Sequence, residues 1–251
     1  LASPIRISLS FSKTTCAPAP QRFSSKANSM AKQYYYFIAG LPAISMDDTK
    51  LAYNPEQFRE EAKAQLSEDD YQLIELLHLP AELSNLLTVL YKKEPGEMAE
   101  ALHDAEFWQA FIDFIKHRLS SNNLPTPPEY AFLPDFVTEL VSTMLKEEDL
   151  PPYPAAEHMI LQAFFSFCAN HSNRFIREWF ELERNVKNIL VAINGRNHKL
   201  EFAKYLIGDD DTVKNLAHSH AADFGLGKDH PLFDAVQRIW EQNDILYRER
   251  G

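Results

Sequence analysis

The feature that most constrains this chain is the spacing of its large apolar residues between Leu161 and Ile193. Each step is three or four residues along Phe164, Cys168, His171, Phe175, Trp179, Leu182, Val186 and Ile189. This spacing is typical of a helix that packs lengthwise against another helix. An unbroken helix here would have about 33 residues and a length of about 50 Å. The alternative is a break between two helices at the polar run 170–173.

Similar spacing covers most of the chain from Pro55 onward, whereas strand alternation is hard to find. Helices are predicted at about 55–66, 67–77, 80–93, 104–119, 134–147, 212–222 and 231–248. A turn is predicted at Gly225-Leu226-Gly227, and the proline-rich stretch 120–128 is a candidate internal joint. The predicted fold class is therefore all-α, with long antiparallel helices.

The first 29 residues differ in charge from the rest of the chain. They contain Arg6, Lys13, Arg22 and Lys26 but no Asp or Glu, which is typical of a transit peptide or disordered leader. We favour a second interpretation, that they are translated upstream sequence ahead of a start at Met30. Subtracting these four residues from 25 Lys and Arg leaves 21 against 36 Asp and Glu, a formal charge of −15 for the predicted helical domain 30–251. Such an acidic domain argues against nucleic acid as a partner.

The apolar runs are too short to predict a membrane-spanning helix. A span needs about 18 apolar residues, and the longest uninterrupted run covers only residues 34–39. An acidic protein is also repelled by anionic lipid headgroups, whereas basic cytoplasmic loops of membrane proteins would attract it. Cys16 and Cys168 are too few for a disulfide framework or a cysteine zinc site, and Cys168 is predicted to lie in the core.

No residue is predicted to be catalytic, to bind a cofactor or to ligate a metal. The seven glycines form no phosphate-binding pattern. His218 and His220, near the acids 209–211, are the most ligand-like cluster, but residues two apart on a helix face different directions, so a polar helix start is favoured. His103-Asp104 resembles the dipeptide of metal phosphohydrolases, yet Asp104 is better placed to cap the helix that follows.

Two polar features lie within or beside the long apolar pattern. His171 is predicted to mark a helix joint, with a buried polar residue or a ligand as alternatives. A charged face is formed by Glu178, Glu181, Glu183, Arg184 and Lys187. Its spacing predicts a solvated helix surface with intrahelical charge pairs, and a binding surface is the alternative.

Three stretches resemble known families. Residues 34–42, followed by Ser45-Met46-Asp47-Asp48, are similar to the start of a bacterial family of unknown function encoded among V-type ATPase subunits. Residues 222–226 also fit that family, and this resemblance covers most of 30–250. Residues 181–196 resemble a helix of the V/A-type ATPase C subunit, the counterpart of the eukaryotic d subunit. Members of the bacterial family continue past the last helix, so a C-terminal truncation is expected.

The resemblance implies an elongated or funnel-like helical bundle that caps the membrane rotor ring and receives the central stalk. Such a protein passes rotation between these partners during ATP-linked proton or sodium transport, without being an enzyme and without a cofactor. It would be cytoplasmic and peripheral to the inner membrane through its protein partners. The expected subunit-contact residues are Glu178, Glu181, Arg184, Asn185 and Asn188.

Two alternatives to this coupling subunit stay open. The first is a soluble helical adaptor or assembly factor for the same ATPase, which would leave when the complex matures. The second is an all-α metal-dependent enzyme, which would purify with metal and lose activity when His103, Asp104 or His220 is replaced.

Overall fold

A computed structural model describes residues 34–45, 53–94, 102–121, 124–147, 149–227 and 230–245. Within these ranges every regular element is helical and no strand occurs, so the predicted all-α class is confirmed. The described helices are α1 (Tyr35–Gly40), α2 (Pro55–Gln65), α3 (Glu68–Leu90), α4 (Ala105–Ser120), α5 (Asp135–Lys146), α6 (Tyr153–Ala169), α7 (Arg174–Asn197), α8 (Asp211–His218) and α9 (Pro231–Trp240). Short 3-10 helices span Pro128–Tyr130 and Ala203–Tyr205. The expectations for residues 1–29 and Cys16 lie outside the described residues.

The chain divides into two compact units, residues 1–41 and residues 42–251. The first contains the six-residue helix α1, and the second contains α2 to α9. Most helices of the second unit begin where a polar side chain accepts a hydrogen bond from a first-turn backbone N–H. The capping residues are Asn54, Ser67, Asp104, Asn173, Asp210 and His230.

Pro80 does not start a helix, so the prediction of separate helices at 67–77 and 80–93 is wrong. It lies inside α3, which runs without a break for 23 residues. A proline has no N–H to donate to the carbonyl four residues earlier, which costs about 3 kcal/mol in a helix interior. Leu79, Leu83 and Leu86 are buried around it, and burial of such side chains at about 1.5–3 kcal/mol each offsets that cost.

The long apolar pattern is divided between α6 and α7, which are separated by residues 170–173. His171 lies at this joint, as predicted, and its Nδ1 accepts a hydrogen bond from the backbone N–H of Asn173 at 3.1 Å. Asn173 caps α7, and the Arg177 guanidinium donates to the carbonyls of His171 and Ser172. The short connection makes α6 and α7 antiparallel neighbours, and they pack against each other.

The break changes which face of α7 is buried. The predicted stripe through Phe175, Trp179 and Leu182 faces solvent, whereas Ile176 and Phe180 are buried. A stripe keeps its direction only along a continuous helix, and α7 begins with a new rotation about its axis after residues 170–173. The prediction that these three side chains line a packed seam is therefore wrong.

Two hydrophobic clusters fill the second unit. The first cluster is formed by α3 to α6, the start of α7, Tyr130, Leu133 and Ile207, and the second cluster by the rest of α7 with α8, α9, Leu206 and Phe224. Helix α7 contributes Ile176 and Phe180 to the first cluster and Ile189, Ala192 and Ile193 to the second. One helix of 24 residues therefore belongs to both clusters.

Cys168 is buried in the first cluster, as predicted. Desolvation, with a smaller contribution from the charge of Glu183, raises the pKa of its thiol to about 12. A thiol with such a pKa is almost wholly protonated at neutral pH, so Cys168 acts as a packing residue.

Helix α3 is the one described helix that is long and apolar enough, by length and composition alone, to cross a membrane. Polar residues divide α3 into apolar runs that are too short to predict a membrane span from the sequence. In this structure α3 packs against α2, α4 and α6, and both Glu82 and Asn85 are buried along it. These contacts are those of a core helix.

The last two helices are shorter than predicted in the described residues. α8 ends at His218 instead of 222, and α9 ends at Trp240, while the end of the predicted 231–248 helix lies outside the described residues. The predicted turn at Gly225 and Gly227 is confirmed, since both have φ near +65 to +70°. α8 ends earlier, because Ser219 already has an extended backbone with φ of −72° and ψ of 138°. Phe224 precedes the two glycines with φ of 55° and is buried in the second cluster.

The connection after α7 is fastened to that helix by a buried amide. Asn188 is wholly buried, its Nδ2 donates to the Ile207 carbonyl at 2.8 Å, and its Oδ1 accepts from the Ile207 N–H at 2.9 Å. Ile207 packs in the first cluster, whereas the neighbouring Leu206 packs in the second. Asn188 therefore gives hydrogen-bond partners to the backbone N–H and C=O of Ile207, at the point where the chain passes from one cluster to the other.

We predict that Asn188→Ala lowers the free energy of unfolding by about 2–4 kcal/mol, because a buried N–H and a buried C=O both lose their partner. Urea unfolding followed by circular dichroism measures the change. Asn215→Ala is the matched control, since Asn215 is exposed on α8 and its replacement is expected to change stability by about 0.5 kcal/mol at most. Equal losses for the two variants would contradict this role of Asn188.

Candidate functional site

The five expected contact residues all lie on α7, but at different depths. Glu178 and Glu181 are exposed, Asn185 is half-buried, Arg184 exposes 16% of its side chain, and Asn188 is buried. Only the two glutamates and part of Asn185 are thus available to a partner. Asn188 is occupied by the Ile207 backbone, so the expectation that it contacts another subunit does not fit its position.

Arg184 has an internal role. Its Nη2 lies 2.6 Å from Asp210 Oδ2 and also donates to Asn185 Oδ1. Gly208 has φ of 100°, and a Cβ added there would lie 3.2 Å from Nη1 of Arg184. Arg184 therefore joins α7 to the start of α8, because Asp210 also caps α8 through the Val213 N–H.

A pocket of about 400 Å³ lies between α6 and α7 beside this ion pair. Its lining includes Phe165, Ala169, Arg177, Glu178, Phe180, Glu181, Arg184 and Asp210. Of these, Arg177 and Arg184 already bind backbone carbonyls and Asp210 respectively. The structure therefore brings Glu178, Glu181 and Arg184 to one pocket, where the acidic side chains are the more accessible ones.

An exposed apolar strip runs along α7 next to these glutamates. Phe175, Trp179 and Leu182 are 54%, 48% and 49% exposed, and we call these three residues the α7 ridge. The Phe175 and Trp179 rings are stacked, with centroids 5.8 Å apart. Sequence reasoning placed these residues in the core, and only knowledge of the break at 170–173 would have revealed them as surface.

The charges on α7 around the ridge are of both signs. Glu178 is bound by Arg174 at 2.6 Å, whereas Glu181 and Glu183 are exposed and form no ion pair within the described part of the chain. Arg177 keeps its positive charge while it donates to neutral carbonyls, and it lies one helical turn from Glu181. Lys187 lies one turn from Glu183 and opposes the rise that desolvation causes in the pKa of that carboxyl. A partner at the α7 ridge would therefore meet an apolar strip bordered by charges of both signs.

A second polar centre is built around Glu82, whose side chain is buried in α3. Its Oε1 accepts hydrogen bonds from the backbone N–H groups of Leu102 and His103, and its Oε2 accepts one from Trp108 Nε1 at 3.1 Å. Glu82 therefore fastens the start of α4 to α3. This role was not predictable from the sequence, since a lone Glu among leucines in a helix is usually a surface residue.

His103 lies against the same carboxylate. Its imidazole is stacked between Phe107 and Phe132, with ring centroids 4.1 and 4.9 Å away. Nδ1 is 3.4 Å from Glu82 Oε1, close enough for an ion pair but without the geometry of a hydrogen bond. Asp104 caps α4 through the Phe107 N–H at 2.9 Å, as predicted. His103 and Asp104 therefore both make contacts at the start of α4, His103 by stacking on Phe107 and Asp104 as the cap.

A polar groove of about 370 Å³ adjoins His103 between α2 and α3. Its lining residues are Glu56, Arg59, Glu60, Lys63, Tyr71, Glu75, Leu102 and His103. Desolvation, together with the charge of Glu68, raises the pKa of the Glu75 carboxyl, while Lys63 and His103 oppose the shift. The lining contains no Ser, Thr or Cys, and its hydroxyl is the phenol of Tyr71, whose pKa is raised mainly by desolvation.

His218 and His220, the remaining ligand-like pair, do not form a common site. His218 is the last residue of α8 and His220 follows the helix, so the prediction of a polar helix start is wrong. Asp210 is the N-terminal cap of α8. His218 lies in the last turn, where the negative end of the helix dipole favours a basic side chain. Among the residues that the structure describes, no three His, Cys, Asp or Glu side chains group as metal ligands.

We predict that Glu82→Leu destabilises the protein by about 3–5 kcal/mol, because the buried Trp108 indole and two partly buried backbone N–H groups lose their acceptor. Glu82→Gln keeps one acceptor oxygen and is expected to cost less. Urea unfolding monitored through tryptophan fluorescence measures both, and Glu157→Leu on the exposed side of α6 is the control. If Glu82→Leu costs no more than the control, Glu82 does not hold α4 in place.

Comparison with known families gives one match. Residues 30–251 match a family described as "Protein of unknown function (DUF2764)". No curated protein and no solved structure matches the chain. The matched range contains every helix described above, while the family description carries no activity or partner.

Proposed function

The chain belongs to the DUF2764 family, whose description assigns no activity, and we propose that it is a non-catalytic coupling subunit of a V/A-type rotary ATPase. In this role it joins the central stalk to the membrane rotor ring during ATP-linked proton or sodium transport. It works on the cytoplasmic side of the inner membrane and is held there by other subunits.

The observation that carries this proposal is the position of α7. Residues 181–196, which resemble the C subunit helix, lie on a helix that packs in both hydrophobic clusters. A part that transmits rotation needs a stiff connection between its ends. A continuous helix packed at both ends supplies such a connection, since its backbone hydrogen bonds resist bending.

The surface charge supports docking onto basic partners. The chain has a formal net charge of −11, and Glu178 and Glu181 are exposed at the pocket between α6 and α7. Basic cytoplasmic loops of membrane subunits complement such a surface and would speed association. The inner residues Arg184 and Asn188 contribute indirectly, because they hold α7 to the connection that follows it.

A second candidate is an adaptor or assembly factor for the same ATPase. The exposed α7 ridge favours it, since an apolar strip of three side chains suits a small transient contact. The two candidates differ in stoichiometry. A coupling subunit stays in the mature complex at one copy, whereas an assembly factor is found only with immature subcomplexes.

Native mass spectrometry distinguishes them. The complex is purified from detergent-solubilised membranes of the host through an affinity tag on this protein. The coupling proposal expects one copy together with ATPase subunits and the membrane ring. Recovery with immature subcomplexes alone would support the assembly factor, and recovery without ATPase subunits would contradict both.

We predict that Glu178→Lys with Glu181→Lys reduces recovery of the complex about tenfold, because charge reversal repels basic partners. Both side chains are exposed, but the double variant also replaces the exposed Arg174–Glu178 ion pair with two like charges, so the free energy of unfolding should fall by about 1 kcal/mol at most. Glu157→Lys is the control on exposed α6 surface. Arg184→Glu is not informative, since it breaks the Asp210 ion pair within the chain. Unchanged recovery for the double variant would argue against this contact.

A further inference from the structure

We infer that α2 is a pH-sensitive flap, a helix whose docking on α3 weakens as the Glu75 carboxyl ionises. When α2 separates from α3, the face of α3 around Tyr71 and the polar groove beside His103 open to solvent. The inference is independent of the proposed ATPase role, because it concerns contacts between parts of the second unit only.

Helix α2 is held to the rest of the second unit by few apolar contacts. Among the described residues, neither hydrophobic cluster contains a side chain of α2. Ala62 is wholly buried, whereas Phe58 and Arg59 are half-buried. One methyl group contributes far less burial energy than the leucines that fill the first cluster. A helix with so little buried apolar surface is expected to open locally, without unfolding of the core.

The connection between α2 and α3 is short, and α3 has its own cap. Leu66 and Ser67 alone join the two helices, and both have an extended backbone, with ψ of 159° and 156°. The Ser67 hydroxyl accepts a hydrogen bond from the Asp70 N–H at 3.3 Å, which caps α3. Because this cap makes no use of α2, rotation at Leu66 separates the two helices while α3 keeps its start.

The groove between α2 and α3 brings charged groups from three parts of the chain around Glu75. The lining groups that titrate or carry charge are Glu56, Arg59, Glu60 and Lys63 on α2, Tyr71 and Glu75 on α3, and His103 before α4. On α3 itself, Glu68 and the buried Glu82 lie seven residues to either side of Glu75, so all three are on about the same side of the helix. Glu75 therefore shares the groove with cations from α2 and with acids on both helices.

Docked α2 forms one wall of this groove and keeps water from the Glu75 carboxyl. Desolvation is the main cause that raises the pKa of this carboxyl, and the charge of Glu68 adds to it, while Lys63 and His103 oppose the shift. The docked state therefore favours neutral Glu75, since separation of α2 returns water to the ionised form. The resulting stabilisation of docking is complete below the ordinary value of 4.5, and it is lost as the pH rises through the raised pKa of the docked state.

The cations on α2 favour the opposite behaviour. Arg59 and Lys63 line the groove with Glu75, and their attraction to it strengthens as Glu75 ionises. Lys63 also interacts with Tyr71, since its Nζ lies over the Tyr71 ring at 5.8 Å from the centroid. The pKa of Glu75 is raised despite these cations, so burial and the Glu68 charge outweigh them. We therefore expect docking of α2 to weaken as the pH rises.

Hydrogen exchange of the full chain, followed by mass spectrometry, tests the flap between about pH 5 and about pH 8. Each rate is divided by the intrinsic rate at the same pH, so the protection factor reports opening. An isolated helix of 11 residues is marginal in water, so α2 amides exchange once the helix separates. We expect protection of α2 amides to fall at least about threefold across this range and to stay below that of amides at Leu83 and Leu86.

Replacing Glu75 separates its ionisation from other effects of pH. Glu75→Gln keeps the size of the side chain but cannot ionise, so α2 should keep at about pH 8 the protection it has at about pH 5. Glu157→Gln, on the exposed side of α6, is the matched control and should follow the unmodified chain. At a fixed pH of about 7.5, trypsin cleaves after Lys63 only when α2 opens, so Glu75→Gln should be cleaved there at least about threefold more slowly.

A second variant tests whether α2 separates on its own. Ala62→Leu places a larger side chain at the wholly buried position of α2. We expect α2 amides to lose at least about tenfold in protection at every pH, while amides at Leu83 and Leu86 change less than about threefold. Circular dichroism checks that the remaining helices are folded.

Several results would overturn the inference. If Glu75→Gln keeps the pH dependence of the unmodified chain, Glu75 is not the group that controls docking. Protection of α2 that rises with pH would show that Arg59 and Lys63 hold the helix against ionised Glu75. Equal protection of α2 and α3 amides, or loss of α3 protection in Ala62→Leu, would show that α2 opens only with the whole unit. Because these assays contain no ATPase, their failure is distinct from failure to recover ATPase subunits.

Discussion

The structure of the second unit depends on the sharing of α7 between two hydrophobic clusters. Near its start the helix buries Ile176 and Phe180 among α3 to α6, and near its end it buries Ile189 and Ile193 among α8 and α9. Neither cluster can separate from α7 without exposing these side chains, each of which is worth about 1.5–3 kcal/mol when buried. Burial at both ends therefore makes α7 the helix against which both clusters pack.

The parts of the fold that were predictable from sequence depend on neighbours along the chain. Asp104 was predicted to cap α4 because a cap acts within one helical turn. The buried roles of Glu82 and Asn188 were missed, since their partners lie about 20 residues away in sequence. The α7 ridge was placed in the core because a three- and four-residue pattern does not reveal how far a break at 170–173 rotates the next helix.

The residues that stabilise the fold are different from those available to a partner. The polar groups of Glu82, Arg184 and Asn188 all bind atoms of this chain, so they stabilise the fold. The α7 ridge faces solvent, and Glu181 is exposed at the pocket between α6 and α7. A helix that is packed in both clusters and still displays an apolar strip is consistent with the proposed role in docking and transmitting force.

Native-state hydrogen exchange along α7 tests most directly whether this helix joins both clusters into one body. Amide exchange is measured by mass spectrometry at increasing, sub-denaturing urea concentrations. The account predicts that amides near Ile176 and Phe180 and those near Ile189 and Ile193 exchange with the same free energy, equal to that of global unfolding. A lower free energy for the second group, with its own urea dependence, would show that the second cluster opens separately and would contradict the account.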